Sequence, residues 1–99
     1  MVFENINYDE FQAMIRCNPY VLLLDIRSRE DYMECRYPGS INIPLPCLLS
    51  RINTIASYKD CQVIVFCDYG HHSGTACQLL YSQGFTNLFN LQGGIDNIL

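Results

Sequence analysis

The chain of 99 residues reads as a single-domain α/β fold: a mainly parallel sheet with helices on both faces. Three observations predict it. Apolar runs of strand length alternate with stretches of helical periodicity, the pattern of successive βαβ units. The two strongest runs, Val21-Leu22-Leu23-Leu24 and Val63-Ile64-Val65-Phe66, are apolar at every position, as strands covered on both sides must be. The apolar share of 49% suits one core, and the length leaves no room for a second. Crossovers are expected to be right-handed, with a ligand site beyond the carboxyl ends of the strands.

In chain order, Asn7 to Glu10 carries a helix-start signature, with Asn7 as cap and Glu10 three residues on. Phe11, Met14 and Ile15 give that helix one apolar face, and Asn18-Pro19 ends it. Val21 to Leu24 is a buried strand ending at Asp25. Ser28 to Asp31 repeats the cap signature and opens a short helix with Tyr32 and Met33. Pro38-Gly39 turns the chain into a brief strand, Ser40 to Ile43, closed by Pro44. Leu45, Leu48, Leu49, Ile52 and Ile55 are spaced as the stripe of a third helix. Cys61 is expected to begin the central strand. A helix then runs through Ala76, Leu79, Leu80 and Gln83, with Gly84 and Phe85 as the C′ and C″ residues of a Schellman end. Leu88-Phe89-Asn90-Leu91 makes one more strand, Gln92-Gly93-Gly94 turns out of it, and Ile95 to Leu99 start a final helix.

The chemistry gathers in Cys67-Asp68-Tyr69-Gly70-His71-His72-Ser73. Cys67 stands where a buried strand ends and a helix is about to begin. The first turn of a helix offers unpaired N–H groups and a partial positive charge, and both favour an anion such as a thiolate. Cys67 is therefore the candidate nucleophile. Gly70 supplies a residue able to take positive φ, and Ser73 is expected to cap the helix.

The formal charge of −4 points away from nucleic acid and from anionic membranes. No apolar run approaches the roughly 20 residues of a membrane span. Met1 to Asn5 shows no signal-peptide pattern, so a cytoplasmic location is expected. The six cysteines (17, 35, 47, 61, 67 and 77) are then expected as reduced thiols. There is no CxxC pair and no zinc-like Cys/His spacing, and the side chains of neighbouring His71 and His72 diverge; neither a metal nor another cofactor is expected. Cys35, Cys47, Cys61 and Cys77 read as packing residues, with Cys35, near the Pro-Gly turn, the one candidate for a resolving thiol.

At this point the sequence resembles the rhodanese (thiosulfate sulfurtransferase) family. Leu23-Leu24-Asp25-Ile26-Arg27 is similar to its first signature, and Glu30-Asp31-Tyr32 with Tyr37-Pro38-Gly39-Ser40-Ile41-Asn42-Ile43-Pro44 to its second. The Cys67 loop, then Gly84-Phe85-Thr86-Asn87-Leu88 and Gly93-Gly94, complete a match from about Asn5 to Gly94. The resemblance implies a rhodanese-like domain in which Cys67 takes a sulfane sulfur as a persulfide and yields it to cyanide or a thiol. Asp68, Tyr69, Gly70, His71, His72 and Ser73 would form the substrate loop, their amides wrapped around the anionic sulfur. Phosphatases and arsenate reductases of the same fold end a longer loop in arginine; no arginine follows Cys67 here.

Departures from the family pattern bear on the donor. Cys35-Arg36 replaces a common Gly-His pair, and the loop offers Asp68 and two histidines where many members carry Arg or Lys. The donor is thus open between thiosulfate and polysulfide. Arg36, or a protonated His71 or His72, is a candidate to attract it. Asp25 and Arg27 read either as an ion pair fixing the strand end or as substrate contacts. The leading expectation is a small-molecule sulfurtransferase. The alternatives are a sulfur relay between proteins and a non-catalytic interaction or sensory module.

Overall fold

Five short strands make one sheet in the order β1-β5-β4-β2-β3, and every neighbouring pair is parallel. They are β1 (Glu4–Ile6), β2 (Leu22–Asp25), β3 (Ile41–Asn42), β4 (Val63–Phe66) and β5 (Leu88–Leu91). The helices are α1 (Tyr8–Cys17), α2 (Arg29–Glu34) and α3 (Ser73–Ser82). The computed structural model describes residues 2–69, 72–96 and 98–99. Among these, no helix is long and apolar enough to cross a membrane.

Side chains alternate across the central strands and feed two cores. Leu22, Leu24, Val63, Val65 and Cys67 face the layer of α3, meeting Leu48, Ile55, Ala76, Cys77 and Leu80. Leu23, Ile64, Phe66 and Leu91 face the layer of α1, meeting Phe11 and Ile95. Phe11 is fully buried and packs edge-on to Phe66 at 6.1 Å and to Tyr37 at 5.1 Å. Helices thus cover both faces, and β4, in the middle, is buried at all four positions.

The caps form as their residues dictate. Asn7 accepts from the Glu10 amide (2.8 Å) while the Glu10 side chain accepts from the Asn7 amide (3.0 Å). Ser28 caps α2 through the Asp31 amide. The end of α3 is a Schellman motif: the Phe85 amide donates to the Leu80 carbonyl, the Gly84 amide to that of Tyr81, and Gly84 has φ +97°.

Three sequence expectations are corrected, and one strand was not foreseen. The stripe from Leu45 to Ile55 is not one α-helix but two 3₁₀ segments, Leu45–Cys47 and Ile52–Tyr58. Pro46 brings no N–H for an α-type bond, and the bonds that form are short ones such as Leu48 to Leu45 and Thr54 to Arg51. With three residues per turn, Leu48 and Ile55 are fully buried whereas Leu49 is 51% exposed. β1 was not visible in the sequence; it pairs Glu4 with Phe89 and Ile6 with Leu91 at the sheet edge. Cys61 lies in a bend, and β4 begins only at Val63. After Gly94 the described residues form a turn, closed by the Ile98 amide on the Ile95 carbonyl, rather than a helix.

Candidate active site

Cys67 follows the last residue of β4, with 4% of its surface exposed. Its Sγ lies 3.9 Å from the hydroxyl of Ser73, the first residue of α3. The thiol therefore sits at the N-terminal end of a ten-residue helix, where the peptide dipoles favour negative charge. The segment is fastened from the sheet side: the Ile95 amide donates to the Cys67 carbonyl (2.9 Å) and the Asp96 amide to that of Asp68 (3.1 Å). Gly94, at φ +76°, lies so close that a Cβ there would collide with the Asp68 carbonyl and the Tyr69 Cα. Only glycine permits that approach.

Ser73 does not cap the helix. His72 holds the N-cap position with no side-chain cap bond, and the fully buried Ser73 hydroxyl instead bonds Asn90 Oδ1. A buried hydroxyl must find a partner, and β5 supplies one. Asn90 Nδ2 in turn donates to Asn5 Oδ1 (2.9 Å), so a polar chain runs beneath the thiol from α3 through β5 to β1. Sequence reasoning missed Asn90, although one amide inside the apolar run Leu88–Leu91 was a usable signal.

Asp25 and Arg27 form the structural pair. Arg27 Nε lies 3.1 and 3.0 Å from the two Asp25 oxygens, and Nη2 donates to Oδ2 (2.9 Å) and to the Cys35 carbonyl (2.6 Å). Burial opposes its charge, but the bonds and charge of Asp25, helped by Asp68 and Asp31, outweigh this and raise its pKa. Asn42, another residue the sequence did not single out, ties down the carbonyls of Asp25 and Arg27 at 3.0 Å each.

Beyond the strand ends opens a cavity of about 390 Å³, lined by Asp68 and Tyr69 of the loop with Arg27, Asp31, Glu34, Cys35, Asp96 and Leu99; Cys67 is not one of its walls and adjoins it through Asp68. Its mouth carries four carboxylates against one guanidinium already engaged by Asp25. Lost hydration, then repulsion from Asp31, Asp96 and Asp25, raises the Asp68 pKa despite Arg27 Nε at 4.0 Å. Asp96 likewise raises that of Tyr69, whose hydroxyl bonds it. Cys35, expected as packing, is exposed and lines this mouth. Arg36 is not at the cavity: its guanidinium lies over the Tyr32 ring at 5.1 Å. His72 is exposed; Gly70 and His71 lie outside the described residues. No disulfide joins the six cysteines, and burial pushes the Cys77 thiol up to about 12, which leaves it an inert packing group. Among the described residues no three His, Cys, Asp or Glu side chains gather to hold a metal.

Residues 7–99 match a family model described as the rhodanese-like domain. The chain is 37% identical over 75 residues to "Thiosulfate sulfurtransferase PspE" of Escherichia coli strain K12, covering 76% of this chain and 71% of that protein. It is 31% identical over 80 residues to "Adenylyltransferase and sulfurtransferase UBA4" of Meyerozyma guilliermondii, covering 75% of this chain but only 19% of that one. A crystal structure of SSP1007 from Staphylococcus saprophyticus superposes with a TM-score of 0.84 at 24% identity, over 98% of this chain and 94% of that one. The chain belongs to the rhodanese-like domain family, with named sulfurtransferases among its relatives.

Proposed function

We propose that Cys67 carries a sulfane sulfur as a persulfide. Its thiolate attacks the outer sulfur of a donor, the donor S–S bond breaks, and the donor leaves as a thiolate or sulfite. An acceptor thiolate or cyanide then takes the outer sulfur, and the Cys67 thiolate returns with no net redox change. The observation that carries this is the Cys67 sulfur at 3.9 Å from Ser73, at the start of α3. His72, and the amides between Cys67 and Ser73, would complete the substrate loop named from sequence, with Asp68 and Tyr69 as its cavity wall. Asp25 and Arg27 hold the loop rather than the substrate.

The acidic cavity favours a protein-borne persulfide, whose sulfur carries one negative charge, over the thiosulfate dianion; inorganic polysulfide, itself largely a dianion, gains no such advantage. Four carboxylates repel a doubly charged donor, and the Arg27 charge is balanced by Asp25. A relay from a partner protein is therefore the second reading.

Intact mass after brief exposure to each donor tests the proposal. Polysulfide should add one sulfur atom, cyanide should remove it as thiocyanate, and Cys67→Ser should gain nothing. A singly charged thiol persulfide should load at least about tenfold faster than thiosulfate. A protein that accepts sulfur from none of these donors would instead be an interaction module.

A further inference from the structure

A second groove, of about 340 Å³, opens on the opposite side of α2 from the mouth. Its walls include Arg29, Tyr32, Met33, Pro44, Cys47 and Arg51. Arg36 adjoins it, with its guanidinium 5.1 Å from the Tyr32 ring centre and Nη1 3.9 Å from the Met33 sulfur. The Tyr32 hydroxyl is anchored to the Ser40 carbonyl (2.5 Å), so the platform under Arg36 is fixed. Three of the chain's six basic residues thus converge here, in a protein of net charge −4. Among the described residues both ion pairs belong to Arg27, so Arg29, Arg36 and Arg51 have no carboxylate partner. Between them lie apolar surfaces, with Met33 60% exposed.

A small anion would need buried donors around it, and these guanidinium groups are exposed. A ligand that joins carboxylates to apolar side chains matches both parts of the wall. We infer that this groove seats an acidic, partly apolar segment of a partner protein. The same helix that presents Arg29 to the groove presents Asp31 and Glu34 to the mouth. An acidic segment is held on the basic side of α2 and repelled from the mouth, which fixes where its owner lies relative to Cys67. The inference stands whether or not Cys67 turns over sulfur.

The test uses a fluorescein-labelled hexapeptide of alternating glutamate and leucine, read by anisotropy. Saturable binding is expected, weakening at least about tenfold between low and physiological salt. The double variant Arg29→Glu/Arg51→Glu, both exposed positions, should lose at least about tenfold in affinity with an unchanged circular dichroism spectrum. Bound peptide should also slow alkylation of Cys47, while Cys67→Ser should bind as the wild type does. Three results would overturn the inference: equal binding by the double variant, equal binding of a peptide with lysine in place of glutamate, or no saturable binding at all. Displacement by inorganic phosphate at peptide-like concentrations would also do so, by reducing the groove to a simple anion site.

Discussion

At the scale of single residues, the loop after Cys67 is held by a backbone contact that only one glycine allows. Gly93 and Gly94 both have positive φ, +81° and +76°, but an added Cβ meets nothing at Gly93 and the Asp68–Tyr69 backbone at Gly94. Gly93→Ala should cost about 1–2 kcal/mol of strain. Gly94→Ala should cost clearly more and slow sulfur loading, because Asp68 must move. Urea melts of the two variants side by side decide this; equal losses would mean the close approach is unimportant. The glycine pair was legible as a turn, but its contact with the loop was not, since β5 and β4 meet only in the fold. The Asn90–Ser73 bond was hidden for the same reason: two residues 17 apart share one buried site.

At the scale of elements, local chemistry made most of the fold legible. The Asn7–Glu10 box, the Ser28 cap and the Gly84-Phe85 stop each act within a few residues, and all three form as read. The fully apolar runs gave β2 and β4. Failure came where pattern was ambiguous or absent. Leu45 and Leu48, and again Ile52 and Ile55, stand three apart, which fits two 3₁₀ segments as well as one helical stripe, and Pro46 tips the balance to 3₁₀ in the first. Glu4-Asn5-Ile6 is too short to show alternation, and only pairing with β5 makes it a strand. The corrected geometry has a consequence for stability. Leu48→Ala should cost about 2–5 kcal/mol, whereas Leu49→Ala should stay within about 0.5 kcal/mol. Comparable losses in thermal or urea unfolding would restore the single-helix stripe.

At the scale of the whole molecule, α2 and the C-terminal turn bring Asp31, Glu34 and Asp96 to the loop that follows Cys67. No local motif announces this acidic mouth, which is why the sequence offers a candidate nucleophile but leaves its donor open. The raised Asp68 pKa gives a pH signature with a definite sign. As pH falls through that value the cavity loses a negative charge, so loading from the thiosulfate dianion should rise relative to loading from a singly charged thiol persulfide. Asp68→Asn should flatten the ratio, and an unchanged slope would remove Asp68 from the argument. The same shift means the folded state holds this proton more tightly than the unfolded chain does. The associated stability is present at acid pH and lost as pH rises through the folded value. The most direct test of the account is to locate the sulfur after polysulfide treatment, by alkylation and tandem mass spectrometry of the six cysteine peptides. The added sulfur is predicted on Cys67; finding it on Cys35 at the open mouth, with Cys67 unmodified, would contradict the account.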